Sequence, residues 1–398
     1  MRVLIADKLH DAARTRLAAS GFEVRAEPGL SGEALVARLA ELDPEILVVR
    51  STAVTEAHTL AGPRLSLIVR GGAGVNTIDV AACSRRGIFV ANCPGKNAVA
   101  VAELTLALAL ALDRSIPDNV SDLRAGRWDK ARYAKGRGLS GRTLGILGVG
   151  AIGEAVAERA AAFGMTVVGW SRSLTDAGAA RIGIVRLDTP QAVARRADVL
   201  SIHLALTPET RGLIGESIFS AMAPGSLFLN TSRAEVVDEG ALQRALERGI
   251  RAGLDVFSGE PTDKTAPFSH PLASHPSVYG THHIGASTEQ AQLAVGDEIC
   301  RIAETFRDEG RVINGINRVI TSSASHRLVV RHLDQVGVLA RILEPLSEAG
   351  INVQEMENIV FPAGAAIARI QISSEPSPQL LEALQALSAV LNVSVVTL

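Results

Sequence analysis

The stretch Thr143-Leu-Gly-Ile-Leu-Gly148-Val-Gly150-Ala151-Ile152-Gly153 decides the fold. Its apolar first half reads as a strand, and Ile152, Val156, Arg159 and Phe163 recur behind it at helical spacing, so three glycines stand at a strand-to-helix crossing. There Gly148 permits a tight turn, Gly150 lets the backbone approach a pyrophosphate, and Gly153 allows close packing of helix on strand. The amides at Ala151 and Ile152, opening the helix, can hold a diphosphate. A compact turn without a ligand is the plainer alternative, but the flanking strand and helix favour a dinucleotide site.

Outward from this turn, short Val/Ile/Leu runs alternate with Ala/Arg-rich helical stretches, the rhythm of βαβ units around a mostly parallel sheet. Upstream, strands are predicted at Arg2 to Ala6, Ile46 to Val49, Leu67 to Val69 and Ile88 to Val90, with a helix from about Asp11 to Ala19. The apolar run Ala98 to Leu112, interrupted by Glu103, is shorter than the roughly 18 residues of a membrane span and predicts a buried helix at a domain or subunit contact. Downstream, strands follow at Thr166 to Trp170, Val199 to His203, Leu227 to Asn230 and Arg251 to Asp255, and a helix from Gln290 to Glu309 returns toward the first lobe. After the polar stretch 321–325 the order is strand, helix, strand, strand, helix, strand, that of a small ferredoxin-like module. The fold class expected is α/β: two Rossmann-like doubly wound parallel-sheet lobes plus a C-terminal βαββαβ domain. The boundaries expected are 1–97 with 287–320 for a substrate lobe, 98–286 for a dinucleotide lobe, 321–325 for a linker and 326–398 for a regulatory domain.

Composition narrows the function. The 398 residues exceed one average core, and 40 Lys and Arg against 42 Asp and Glu leave a net charge of −2, so no whole-chain field draws the protein to nucleic acid or a membrane surface. A small molecule is the expected partner. Cys83, Cys93 and Cys300 show no Cys-x-x-Cys spacing, and their odd number argues against a disulfide framework. The first residues read as a strand rather than a signal peptide, which together with the cysteines predicts a cytoplasmic location. No metal site is read.

Three charged side chains behind the glycine turn suggest hydride chemistry: Arg233 in Asn-Thr-Ser-Arg-Ala, Glu260 in Gly-Glu-Pro and His283 in Thr-His-His-Ile-Gly. A nicotinamide enzyme acting on a 2-hydroxy or 2-oxo acid needs a cation for the carboxylate, a proton relay at C2 and an acid to tune that relay. Taken singly, each residue also has a bland reading as a surface cation, a turn acid or a loop histidine. Strand C-termini around a glycine turn are, however, where α/β sites form. Beyond the turn, the strand Thr166 to Trp170 ends in Ser171-Arg172-Ser173 instead of the Asp or Glu that usually binds the ribose of NAD. No carboxylate there repels a 2′-phosphate, so NADP is favoured over NAD, with acceptance of both as the alternative.

The combination of Leu-Gly-Val-Gly-Ala-Ile-Gly, Asn-Thr-Ser-Arg233-Ala, Gly-Leu-Asp255-Val-Phe, Glu260-Pro and His283-Ile-Gly resembles the D-isomer-specific 2-hydroxyacid dehydrogenases. Arg70-Gly-Gly-Ala-Gly74-Val, Asn92-Cys-Pro-Gly95-Lys-Asn and Ala102-Glu103-Leu-Thr are near matches to motifs of the phosphoglycerate dehydrogenase branch, and the tail after 325 resembles an ACT domain. The resemblance implies that Arg233 orients the substrate carboxylate, that His283 exchanges a proton with the substrate oxygen, and that Glu260 holds the imidazole. It places Asp255 near the nicotinamide carboxamide and Thr231 among the cofactor contacts. Arg50, Arg70, Lys130 and Arg132 stand where that branch carries cations for a phosphate, and Gly72, Ala73 and Gly74 are expected to offer amides to the carboxylate. His282 departs from a usual proline, and Asn76 from a usual Asp.

In the tail, His332-Leu-Asp334-Gln-Val336-Gly337 resembles the first strand-to-helix loop of an ACT domain, with Asn352 expected to face it. The resemblance implies a serine effector there, although Asp334 in place of a common Asn weakens attraction for a carboxylate. A purely oligomerising module is the alternative. The activity implied is reversible oxidation of 3-phospho-D-glycerate to 3-phosphooxypyruvate with NADP or NAD, opening serine biosynthesis, in a homodimer or homotetramer. An NADPH-dependent hydroxypyruvate or glyoxylate reductase is the enzymatic alternative, and a dinucleotide-responsive corepressor-like sensor the alternative of another class.

Overall fold

The computed structural model describes residues 1–261, 265–319 and 322–398. In the first lobe, β1 (Arg2–Ile5), β2 (Glu23–Ala26), β3 (Ile46–Val49), β4 (Leu67–Arg70) and β5 (Phe89–Asn92) form a parallel sheet in the order β2-β1-β3-β4-β5. The apolar residues of β1, β3 and β4 are buried because helices cover both faces of the sheet, with only the terminal Arg2 and Arg70 half-buried. On one face Val3, Ile5 and Val69 meet Val295, Ile299 and Ile302 of the helix Glu289–Glu309, and on the other Leu4, Leu47 and Ile68 meet Leu35 and Leu39. The strand β2 went unread because its Glu-Val-Arg-Ala sequence alternates charge with small apolar groups, as suits a half-exposed edge.

The second lobe carries β6 (Thr143–Leu147), β7 (Thr166–Trp170), β8 (Val185–Arg186), β9 (Val199–Ile202), β10 (Leu227–Asn230), β11 (Arg251–Leu254) and β12 (Val278–Gly280). They form a parallel sheet in the order β12-β11-β10-β9-β6-β7-β8, so the direction of winding reverses between β6 and β9. The glycine turn lies at that switch point, where open α/β sheets leave a crevice. Short strands β8 and β12 were also unread.

The helix Ala98–Arg114 is buried by its own lobe. Ala102, Leu108, Ala109 and Leu112 pack with Ile146 of β6, Leu227 and Leu229 of β10, and Val156 and Ala157 of the helix Ala151–Ala162. That last helix buries Gly153, Val156, Ala157 and Ala160; Phe163, read as part of its apolar stripe, caps the C-terminus and is exposed. No helix among the described residues is long and apolar enough to cross a membrane.

Two compact units separate between Asn317 and Arg318. The lobe boundary read at 320 and the linker read from 321 begin on residues outside those described. The second unit contains β13 (His326–Leu333), β14 (Val353–Phe361), β15 (Ala365–Ile372) and β16 (Val390–Thr397) in an antiparallel sheet of order β14-β15-β13-β16. The helices Val338–Glu348 and Pro378–Gln385 supply Ile342, Leu346 and Leu384 to a core with Leu328, Val330, Ala368 and Ile370.

Candidate active site

Strand ends of the second lobe deliver the relay. Asp255 follows β11 and is 1% exposed; its carboxylate accepts from Thr281 Oγ1 at 2.6 Å, Ile284 N at 2.8 Å and Gly285 N at 2.8 Å. Three bonds from one buried acid pin the loop after β12, within which His283 adopts φ 52°. That left-handed conformation is uncommon for a non-glycine residue and persists only where the surroundings impose it. The structure therefore gives Asp255 a bracing role that the expected carboxamide contact did not include.

His283 Nδ1 meets Glu260 Oε2 at 2.7 Å, while Glu260 Oε1 accepts from Phe257 N at 2.9 Å. Donation from Nδ1 to the carboxylate leaves Nε2 as the ring atom available for proton exchange. Burial pushes the Glu260 carboxyl up, but the His283 bond, the Phe257 amide and the His283 and Arg233 charges together hold it below its ordinary range. The carboxylate behind the imidazole fixes its tautomer and orientation.

Both residues line a cavity of about 900 Å³ whose other walls include Arg50, Arg70, Gly71, Gly72 and Asn97. Burial first, then the Arg233 and Arg50 charges, lower Arg70 to about 10, and its Nε is buried without a partner among the described residues. Converging cations with unspent donors suit a multiply charged anion. Arg233, at the end of β10, does not itself line the cavity, but its charge acts on Arg70 and Glu260; its Nη1 donates to Ser232 O at 2.6 Å, and a Cβ at Gly74 would lie 2.5 Å from its Nη2. Glycine at 74 thus leaves room for the guanidinium. Of the expected amide nest, Gly72 N is spent on Arg70 O at 2.8 Å, which leaves Ala73 and Gly74 to offer theirs.

Lys130 and Arg132 do not line this cavity. They sit on the short helix Lys130–Tyr133, where Arg132 pairs with Asp122 at 3.4 Å. Conversely, Asn97 was missed: its Oδ1 is buried without a partner among the described residues and it lines the cavity. Its only signal was its place at the end of the Asn92-to-Asn97 motif.

At the glycine turn, Gly148 has φ 98° and a Cβ there would lie 2.5 Å from His203 O, whereas the space beside Gly150 is open to 4 Å. With the unpaired first-turn amides of the helix Ala151–Ala162, this cradle fits a diphosphate. Thr231 is buried with its hydroxyl 2.9 Å from that of Thr105. Ser171 Oγ is buried without a partner among the described residues, and Arg172 and Ser173 are exposed. No carboxylate stands at the end of β7 itself; Glu209, from the segment after β9, is lowered first by a hydrogen bond from Thr207 and least by the Arg172 charge. His203, also missed, is driven down to about 4 by burial and remains a neutral imidazole beside the turn.

Residues 106–285 match the D-isomer specific 2-hydroxyacid dehydrogenase NAD-binding domain. A crystal structure of a Thermus thermophilus protein shares 34% identity and a TM-score of 0.70, over 79% of this chain and 99% of that one. The chain belongs to the D-isomer-specific 2-hydroxyacid dehydrogenases. The chain is 40% identical over 313 residues, 78% of its length, to D-3-phosphoglycerate dehydrogenase of Methanocaldococcus jannaschii, and it spans 58% of that relative. It also resembles an NADPH-dependent glyoxylate/hydroxypyruvate reductase of Sinorhizobium meliloti, with 27% identity and a TM-score of 0.69 over 79% of this chain and 97% of that one.

Residues 326–389 match the ACT domain. Its expected effector residues do not converge within the module. His332 is 1% exposed, with Nδ1 2.8 Å from Leu333 O and Nε2 3.0 Å from the side-chain amide of Asn358. His332 pairs with Ala366 in β15, whereas Val353, beside Asn352, pairs with Ile372 at the other end of that strand. Six residues of strand put about 20 Å between them. Asp334 is exposed in the loop after β13, near His332 and not near Asn352.

Proposed function

We propose that this dehydrogenase oxidises 3-phospho-D-glycerate to 3-phosphooxypyruvate, reversibly, with NAD or NADP. One observation carries the reading: the Glu260–His283 pair at 2.7 Å opens into the same cavity as Arg50 and Arg70, so a proton relay and an anion site face one volume. Gly148, Gly150 and the first-turn amides at Ala151 and Ile152 would hold a nicotinamide dinucleotide, which would supply or take up the hydride. In oxidation, His283 Nε2 takes the proton of the C2 hydroxyl while Glu260 stabilises the resulting imidazolium; in reduction the proton returns to the C2 oxygen. Arg233 and the Ala73 and Gly74 amides hold the carboxylate, and Arg50 and Arg70 hold the phosphate.

The NADPH-dependent reductase of hydroxypyruvate or glyoxylate is the second reading, favoured by Arg172 and the unpartnered Ser171 hydroxyl. Steady-state rates with phosphoglycerate, hydroxypyruvate and glyoxylate on each cofactor separate the two, and absence of phosphoglycerate turnover rules out the first. Because Arg172 and Glu209 act oppositely on a 2′-phosphate, Arg172→Ala should lower relative NADP use roughly tenfold and Glu209→Gln should raise it. Serine is the proposed effector of the ACT domain. The proposed assembly is a homo-oligomer, supported by the exposed Ile116, Val120, Leu123 and Trp128, the last 81% exposed. Three buried, unpaired cysteines support a reducing, cytoplasmic setting.

A further inference from the structure

Behind the relay lies a second cluster: Glu239, Ser258 and His270. Glu239 is the first residue of the helix Glu239–Glu247, whose cap is provided by Asp238 accepting from Ala241 N, so its own carboxylate can reach elsewhere. Its Oε1 accepts from Ser258 N at 3.2 Å and its Oε2 from Ser258 Oγ at 2.9 Å. His270 Nε2 lies 3.3 Å from the same Oε2 and 3.1 Å from Ser258 Oγ.

The three residue types suggest a nucleophilic triad, but the ring orientation excludes one. Leu272 N donates to His270 Nδ1 at 3.2 Å, which puts the proton of the neutral ring on Nε2, facing Ser258 and Glu239. The histidine therefore has no free lone pair for the serine hydroxyl and serves as a donor that ties two segments to Glu239.

Those segments support the relay. Phe257 N is gripped by Glu260 and the next amide, Ser258 N, by Glu239, so two carboxylates hold successive peptide groups ahead of the Gly259 turn at φ 66°. The His270 ring stacks on Phe268 at 5.8 Å and meets Phe257 edge-on at 5.5 Å, and both phenylalanines line the cavity. Phe257 also presses on β12, where a Cβ at Gly280 would sit 2.8 Å from its ring.

We propose that Glu239 is a positioning residue, acting through Ser258 and His270 to hold Glu260 in register with His283. This rests on the relay proposed above. Around that relay, the Arg233 charge acts on Glu260, while Asp7, Lys8, Arg50 and Arg70 line the same cavity, and His282 flanks His283.

The test compares Glu239→Ala, Ser258→Ala and Glu260→Gln in the full chain. Glu239→Ala should lower kcat roughly tenfold with KM within about twofold, and Ser258→Ala should do the same to a smaller degree. Both should move the pH optimum of reduction downward, as Glu260→Gln does, and the Glu239→Ala, Glu260→Gln double variant should fall little below the worse single one. A titration of the His283 imidazole by NMR reads the same effect without turnover, its midpoint falling in each variant. A lowered melting temperature with that midpoint unmoved would overturn the proposal. Wild-type protein inactive on every 2-oxo acid would instead remove the functional reading, and the titration would still decide the role of Glu239.

Discussion

The two ends of this protein treat their polar motifs differently. In the dinucleotide lobe, Glu260 and His283, distant in sequence, meet at one cavity with the Arg233 charge acting on Glu260; in the ACT domain, His332 and Asn352, only twenty positions apart, lie at opposite ends of a sheet. The reason is strand direction. In a parallel sheet every strand C-terminus reaches the same edge, so motifs that follow strands converge whatever their separation. In the antiparallel ACT sheet, β13 and β14 both pair with β15, and the end of β13 is therefore far from the start of β14.

The largest test of this contrast is His283→Gln. If the parallel edge assembles a working relay, kcat should fall by about 10² to 10⁴ in steady-state assays while cofactor binding is retained. Next is Asp255→Asn, which weakens the anchor of the His283 loop. A loss of roughly 1–3 kcal/mol is expected by urea denaturation, together with a fall in kcat. An active enzyme of wild-type stability would show that the left-handed turn at His283 needs no brace.

Glu298 offers a third measurement in the same unit. A hydrogen bond from Arg301 leads, against burial, and with Lys96 and Asn314 it lowers the Glu298 carboxyl from 4.5 to about 2. A depressed carboxyl contributes stability that is complete above the unfolded value and is lost as pH falls from about 4.5 through about 2. Glu298→Gln should therefore cost on the order of 2 kcal/mol at neutral pH and flatten the acid limb of the stability curve in that window.

The smallest effects belong to the tail. His332→Ala leaves half-buried partners at Leu333 and Asn358 and should cost roughly 1–2 kcal/mol, whereas Asn352→Ala should stay within about 0.5 kcal/mol. The double variant should be additive to about 0.5 kcal/mol. Strong coupling in a monomeric tail would contradict the register that separates the two residues.

Much of the architecture was legible because burial leaves periodic traces. The run Ile46–Val49 is continuously apolar, and Leu227–Asn230 apolar up to its last residue, since helices cover both faces; Val338–Glu348 shows its inward stripe at helical spacing. Edge strands β2 and β8 left no such trace, being half exposed. Among the site residues, Glu260 and His283 are marked by local motifs, while nothing local to Asn97 shows that its side chain lines the cavity without a partner among the described residues.

From the amino-acid order alone came the α/β class, the glycine turn and the residue types that a hydride-transfer site needs, because local periodicity and backbone freedom are properties of short segments. Only tertiary structure decided that Asp255 braces a loop, that Gly72 spends its amide on Arg70, that Lys130 and Arg132 stand off the cavity, and that Asn352 is remote from His332. Hydrogen-bond partners and sheet register are set between segments far apart in the chain, and no short stretch of sequence contains both halves of such a contact.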